Sequence, residues 1–255
     1  MNNTLEGKTA LVTGASRGLG KATAEALAAL GALVAINYAN NDEAAQATLR
    51  TITDKGGKAF LVKKALGHFR AATELAEALD KELMERTGST GLDILINNAG
   101  GGPVANLDAT TPELYDKILG DNLGGPFFVT KALKPRLREG GRAIFVSSLG
   151  AKNALPEYVV YSISKSAIET FTVVMAKELG PRGITVNCIM PGLIASDANA
   201  DLRADANLKK YLEDNTVLRR LGEPEDFAGV VLSLISPQMA YVTGQVIEVS
   251  GGLFL

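Results

Sequence analysis

The sequence predicts an α/β fold in which a parallel sheet of seven strands is covered by helices on both faces. Three observations carry that expectation. Short runs rich in Val, Ile and Leu recur as KTALVTG, ALVAINY, KAFLVKK, LDILINN, RAIFVSS, ITVNCIMPG and QVIEVSG. They do not alternate apolar with polar residues, as a strand wetted on one side would, so both sides of each are expected to be buried. Segments with helical spacing of apolar residues lie between them, and the strand-then-helix order repeats along the chain. Finally, 255 residues with 46% hydrophobic content suit one large domain, 1–255, which no linker, low-complexity block or fixed-period repeat divides.

The first run ends in TGASRGLG, Thr13 to Gly20, with glycines at 14, 18 and 20. Glycine permits positive φ and a close backbone approach to a ligand, and a helix starting near Gly18 aims its unpaired N–H groups at the same point. That arrangement holds a pyrophosphate, although the spacing is not G-x-G-x-x-G and a glycine-rich turn is also an ordinary connection. KATAEALAALG continues as a helix with a closing Gly31. NDEAAQATLRTITDKGG opens on capping-type Asn and Asp and closes on glycines. YSISKSAIETF begins a helix from about 158 to 180 that sets Tyr161 and Lys165 four apart on one face. Read alone, that pair also fits a solvated helix surface. The same helix carries Ile163, Ala167, Phe171 and Val174 in a stripe, with Ile168, Val173 and Met175 around it, more apolar surface than one sheet face covers. The least regular stretch, 193–223, is charged and Ala-rich and is expected to stand outside the sheet as a substrate-loop insertion.

Charge and composition exclude several functions. Lys+Arg 26 against Asp+Glu 28 leaves a formal charge of −2 with no long basic run, so no footprint for nucleic acid or a membrane surface is present. The opening MNNTLEGKTALVTG has no cationic segment leading into a long apolar one, and no run approaches ~18 uninterrupted apolar residues, so the expected location is cytoplasmic. The single cysteine, Cys188, forms no internal disulfide and reads as a small buried strand residue. His68, the only histidine, reads as a surface residue near a helix start, and no metal site is expected. The expected partner is a small molecule.

TGASRGLG, NNAG at 97 to 100, Asn122 in DNL, Ser148, Tyr161-x-x-x-Lys165 and PG at 191 to 192 occur in an order and spacing that resembles the short-chain dehydrogenase/reductase family, especially its ketoacyl-reductase-like branch. The resemblance covers nearly the whole chain. It implies a doubly wound Rossmann fold, a homodimer or homotetramer, and hydride transfer between a nicotinamide cofactor and a carbonyl or secondary alcohol. It implies Tyr161 as acid/base, Ser148 polarising the substrate oxygen, Asn122 holding a water, and Lys165 serving both the phenol and the nicotinamide ribose. Ser147 competes with Ser148, and the family spacing before Tyr161 selects Ser148. A phenol with an unperturbed pKa of ~10 is only about 0.1% ionised at neutral pH. An ammonium roughly 4 Å away, at an effective dielectric of about 20, contributes ~4 kcal/mol, up to ~3 pKa units before its own desolvation. Lys165 is therefore expected beside the phenol, bringing it near working pH.

For the dinucleotide, the resemblance implies Gly14, Ser16, Arg17, Gly18, Leu19 and Gly20 in the glycine turn, and Asn37, Tyr38 and Ala39 after the second strand. It further implies Leu66 after the third strand, Asn98, Ala99 and Gly100 after the fourth, the Tyr161 and Lys165 pair, and Pro191, Gly192 and Ile194 after the sixth. NAD-specific members carry an acidic residue at the end of the second strand. Here Tyr38 stands there, with no carboxylate until Asp42, while Arg17 can reach a 2′-phosphate, so NADP(H) is expected over NAD(H). The chain departs from the pattern in VKKALGHF, where Ala65 replaces the usual Asp or Asn that meets the adenine amino group. Ser196 stands where Thr is frequent. The alternatives are an NAD-dependent alcohol dehydrogenase on the same residues and a non-catalytic dinucleotide-binding scaffold.

Overall fold

The computed structural model describes residues 4–195 and 204–255. Its sheet is built from β1 (Thr9–Val12), β2 (Leu33–Tyr38), β3 (Lys58–Lys63), β4 (Leu92–Asn97), β5 (Leu137–Val146), β6 (Thr185–Pro191) and β7 (Val246–Val249). The strands are ordered β3-β2-β1-β4-β5-β6-β7, and every neighbouring pair is parallel. The chain therefore starts at the middle, runs to one edge, and returns to the other side of β1. That reversal opens a crevice at the carboxyl ends of β1 and β4, where open α/β sheets bind ligands.

Side chains alternate between two apolar layers, as the unalternated runs require. Leu11, Ala35, Leu95, Phe145, Val186 and Cys188 enter one layer, and Val12, Val34, Ile36, Ile96, Ile144 and Ile189 enter the other. The first layer is closed by α3 (Phe69–Thr87), α5 (Gly125–Leu133) and α7 (Val159–Leu179), the second by α1 (Gly18–Ala29), α2 (Asp42–Asp54) and α9 (Pro224–Ile235). Cys188 is fully buried, as read from the sequence.

Local signals set the helix starts. Asn41 accepts the Ala44 N–H at 2.9 Å to open α2, and Thr111 accepts the Leu114 N–H at 3.2 Å to open α4 (Pro112–Leu119). His68 has a structural part that the sequence reading did not assign: its Nδ1 accepts the Ala71 N–H at 3.3 Å and caps α3. Pro156–Arg182 has the length and mean hydropathy, 1.2, of a spanning helix. It is instead a core helix: Val160, Ile168 and Leu179 are buried along it together with the charged Lys165.

Two boundaries differ from expectation. β5 begins at Leu137, earlier than the run RAIFVSS, because a register shift between Leu92 and Ile94 lets Leu137 pair before the glycines. It also ends at Val146, so Ser148 does not close the strand; it caps a short helix, α6 (Leu149–Asn153), by accepting the Gly150 N–H at 3.1 Å. In the stretch 193–223, Ile194 bridges Gly222, which ties its two ends together, and α8 (Ala206–Asp214) follows an Asp205 cap. Leu193 and Leu212 pack on Leu149, Met190 and Leu253, so the described part rests on the main body. Ser196 lies outside the described residues.

Candidate active site

The glycine turn is constrained from two sides. Gly14 and Gly18 have φ of 63° and 57°, which suit glycine, and a Cβ on Gly20 would lie 2.4 Å from the Gly14 carbonyl oxygen. Arg17 opens α1 without a side-chain cap, and the first turn holds no acidic residue. The unpaired N–H groups and positive dipole end of α1 are thus left for an anion. Thr13 Oγ1 accepts the N–H groups of Asn98 and Ala99 at 3.0 and 2.9 Å. Asn98 Nδ2 donates to the carbonyls of Thr13 and Gly14 at 2.9 and 3.2 Å. The NNAG segment is therefore stitched to the glycine turn, and the Asn98 amide nitrogen is committed to that stitching.

Beside the turn lies a cleft of ≈ 470 Å³ lined by Gly14, Ser16, Arg17, Asn37, Tyr38, Ala39, Leu66, Asn98, Ala99 and Gly100. Asn37 is buried and braces the strand ends: Nδ2 donates to Val62 and Lys64 carbonyls at 3.1 and 3.0 Å. Tyr38 donates to Asp42 Oδ1 at 2.7 Å, while Lys63 Nζ reaches Asp42 Oδ2 at 2.6 Å. Burial and the adjacent Asp42 push the Tyr38 phenol up to about 12, so it stays a neutral donor. The nearest carboxylate after β2 is thereby engaged by Lys63 and Tyr38. The cleft is also lined by Asn41, read from the sequence only as a helix cap, and by Asn40, Lys64, Gly101, Gly102, Lys117 and Asp121, which the sequence reading did not assign to it. No local pattern marks them, since they meet only where separate strand ends converge.

An adjoining cleft of ≈ 300 Å³ shares Gly14, Arg17, Asn98, Gly100 and Gly101 with the first and also contains Gly18 and Leu19. It runs to Ser148, Tyr161 and Lys165, with Pro191, Gly192 and Ile194 on its other side. Gly192 is required there, as a Cβ would lie 2.7 Å from that of Ser250. Burial holds the Tyr161 phenol above the usual tyrosine value, an effect that the neighbouring Ser148 hydroxyl offsets only in part. Tyr158 flanks it edge-on, 6.2 Å between ring centroids.

Contrary to the expectation from spacing, Lys165 is not among the groups that shift the Tyr161 pKa in this structure. Lys165 Nζ donates to the Val146 carbonyl at 3.0 Å and stands 5.7 Å from the Tyr161 ring centroid. Burial pulls its own pKa down to about 8, so desolvation weakens the charge that was expected to ionise the tyrosine. Asn122 sits in a π-helical turn, Gly120–Gly124, between α4 and α5. Its Oδ1 accepts the Gly101 N–H at 2.8 Å, and Nδ2 donates to the carbonyls of Gly101 and Ile118 at 2.9 and 3.0 Å. A Cβ on Gly100 would lie 2.8 Å from Asn122 Oδ1 and 3.1 Å from Lys165 Nζ, so these residues meet around one glycine. The residues Asn122, Ser148, Tyr161 and Lys165 are thus gathered at one end of the crevice.

A family model described as enoyl-(acyl carrier protein) reductase matches residues 14–254. Versicolorin reductase from Emericella nidulans is 37% identical over 99% of this chain and 98% of its own. The chain belongs to the short-chain dehydrogenase/reductase family. This short-chain oxidoreductase is also 37% identical to a 3-oxoacyl-[acyl-carrier-protein] reductase from Synechocystis, over 98% of each chain. Among solved structures, the angucycline C-6 ketoreductase LanV with bound NADP superposes with a TM-score of 0.93 and 40% identity, covering 99% of this chain and 97% of that one. Family members of this kind are enzymes that act on carbonyl or alcohol groups, as their names state.

Proposed function

We propose that this protein is an NADP(H)-dependent reductase of ketones in which Tyr161 is the acid, working in the cytoplasm as a homodimer or homotetramer. The observation that carries the reading is the meeting of Ser148, Tyr161 and Lys165 in a cleft adjoining the free N-terminus of α1 and Arg17, with Asn122 buried behind Gly100 and Gly101. The residues suit a pyridine dinucleotide. The uncapped α1 and the Gly14–Gly20 turn would hold its pyrophosphate, and Arg17 would pair with the 2′-phosphate in the cleft, where Asp121 is paired with Lys117 and the first carboxylate after β2, Asp42, lies outside the lining and is engaged by Lys63 and Tyr38. When bound, NADPH supplies the hydride.

The chain's own groups do the rest. Ser148 and Tyr161 line one cleft, and a ketone oxygen placed between them receives two O–H donors as negative charge develops on it. Burial keeps the phenol protonated, the form that reduction needs; the reverse oxidation would require the phenolate that burial opposes. Lys165, titrating at about 8, lies close enough to proton-exchange range of neutrality to recharge the site through solvent. Asn122 holds the Gly101 backbone beside it. The loops bordering the crevice expose Val104, Leu107 and Leu155, which supports a ketone carried on an apolar framework. We read 1–255 as one domain and 193–223 as the segment that covers the substrate.

A panel of ketones followed by NADPH absorbance tests the reading. Turnover of at least one ketone is expected, with Tyr161→Phe abolishing it while NADPH binding stays within a few fold. Full activity in that variant overturns the mechanism, NADPH binding without turnover of any ketone in the wild type returns the scaffold reading, and absence of both overturns the cofactor assignment as well.

A further inference from the structure

Three consecutive residues at the end of β5 are held by three successive turns of α7. The Val146 carbonyl accepts from Lys165, the Ser147 hydroxyl donates to Glu169 Oε1 at 2.6 Å, and Ser148 faces Tyr161 across Gly150, where an added Cβ would lie 3.3 Å from Ser148 Oγ and 3.5 Å from Tyr161 Cε1. Residues 161, 165 and 169 lie one above another on a helix, so the strand end is pinned rung by rung. Ser147 also donates its N–H to the Ile189 carbonyl at 2.8 Å, which keeps its backbone in line with β6. Ser147 is 2% exposed, and its bond to a carboxylate is charge-assisted and sheltered from water. Without that carboxylate the hydroxyl retains another acceptor, the Lys165 backbone carbonyl at 3.3 Å, so it would turn from one helix contact to another.

We propose that Glu169 is a positioning residue which, through Ser147, fixes where the Ser148 hydroxyl stands relative to Tyr161. It touches neither cleft, and Ser147 is the sole link needed between it and the reacting groups. The proposal rests on the reading of Ser148 and Tyr161 as the pair that meets the substrate oxygen. A small displacement of a group at the reacting centre costs rate far more than binding. The effect should therefore fall on kcat and leave the dinucleotide site alone.

The test compares Ser147→Ala, Glu169→Ala, their combination and Glu169→Gln with the wild type, using NADPH and a ketone that the wild type reduces. Each alanine variant is expected to lower kcat about 10- to 100-fold with KM and NADPH affinity within a few fold. The double variant should be no slower than the slower single one, because both changes break one link. Glu169→Gln keeps an acceptor oxygen and should recover most of the rate. Ser147→Ala removes a single oxygen and remains readable even if Glu169→Ala fails to fold. Independently of turnover, the Tyr161 phenol is titrated by NMR of ¹³C-labelled tyrosine, assigned with Tyr161→Phe. Its pKa should rise in both alanine variants, since the neighbouring Ser148 hydroxyl that lowers it is displaced. That rise in a protein that reduces no ketone would sink the proposed reaction and leave the positioning role standing. An unchanged Tyr161 titration, or rate losses that multiply in the double variant, would overturn the positioning role.

Discussion

At Lys165 a charge that chemistry can use is held at a cost to the fold. Its pKa is drawn from the ordinary lysine value down to about 8 by burial, so the folded state binds its proton less tightly than the unfolded state. The destabilisation is therefore present in full below about pH 8 and is relieved as pH rises toward the unfolded value of 10.5. Lys165→Met is expected to raise the Tm of the free protein at pH 7 by roughly 2–4 °C or more, with the gap to wild type closing between pH 8 and about 10. A pH-independent gap, measured by calorimetry, would contradict the burial argument. Arg17 and Ala65 can be weighed in the same titrations of nucleotide. Arg17→Ala should weaken NADPH by about tenfold or more and leave NADH nearly unchanged, because only the former has a 2′-phosphate to lose. Ala65 lines the same cleft, and Ala65→Asp should tighten both nucleotides by a similar factor, the gain of one hydrogen bond to adenine at ~0.5–3 kcal/mol. Equal affinities of the wild type for NADH and NADPH would overturn the cofactor assignment.

At the scale of elements, the site is made by places where regular structure stops. β1 stops at Val12 and α1 starts at Gly18, with Gly20 packed so tightly under Gly14 that no side chain fits between helix and turn. Gly20→Ala is expected to cost ~1–3 kcal/mol of stability and to weaken NADPH, since the turn must shift or the helix must back away. Tm and calorimetric titration read the two effects separately, and an unchanged Kd would show that the turn tolerates the shift. The π-helical turn at Gly120–Gly124 is a second such place: it lets Asn122 face Gly101 from within an otherwise continuous run of helix. The third is the end of β5, two residues before Ser148, where a strand gives way to the capped α6. Each is irregular backbone braced by side-chain hydrogen bonds, which places a reacting group more rigidly than a bare loop would.

For the molecule as a whole, the helices α3, α5 and α7 that close one face of the sheet leave apolar residues uncovered on their own outer side. Ile163 and Val174 on α7 remain 56% and 50% exposed, with Phe127 on α5 and Phe69 on α3 beside solvent as well. Phe69, Phe128, Phe127 and Phe171 form a chain of rings, 5.1–5.8 Å between neighbours, that runs from this surface to the buried Phe145. Sedimentation velocity at micromolar concentration is expected to show a dimer or tetramer, and the pair Ile163→Glu with Val174→Glu to shift it toward smaller species. A monomeric wild type would contradict this. What the sequence by itself determined was the set of strands, the glycine turn, the identity of the residues gathered at Tyr161, and the burial of the central strands on both faces, which the edge strands β3 and β7 do not share. Those are local matters: apolar runs, caps and i,i+4 spacing are written within a few residues of one another. What only the tertiary structure decided was how those groups face each other. The Lys165 ammonium turns to the Val146 carbonyl, Asp42 to Tyr38 and Lys63, and Ser147 to Glu169. These pairings follow from which strand end lies beneath which helix turn and, at Lys165 and Ser147, from burial away from water. Separation along the chain encodes neither, so the sign of the Tyr161 shift could be settled only once the helix and strand were packed.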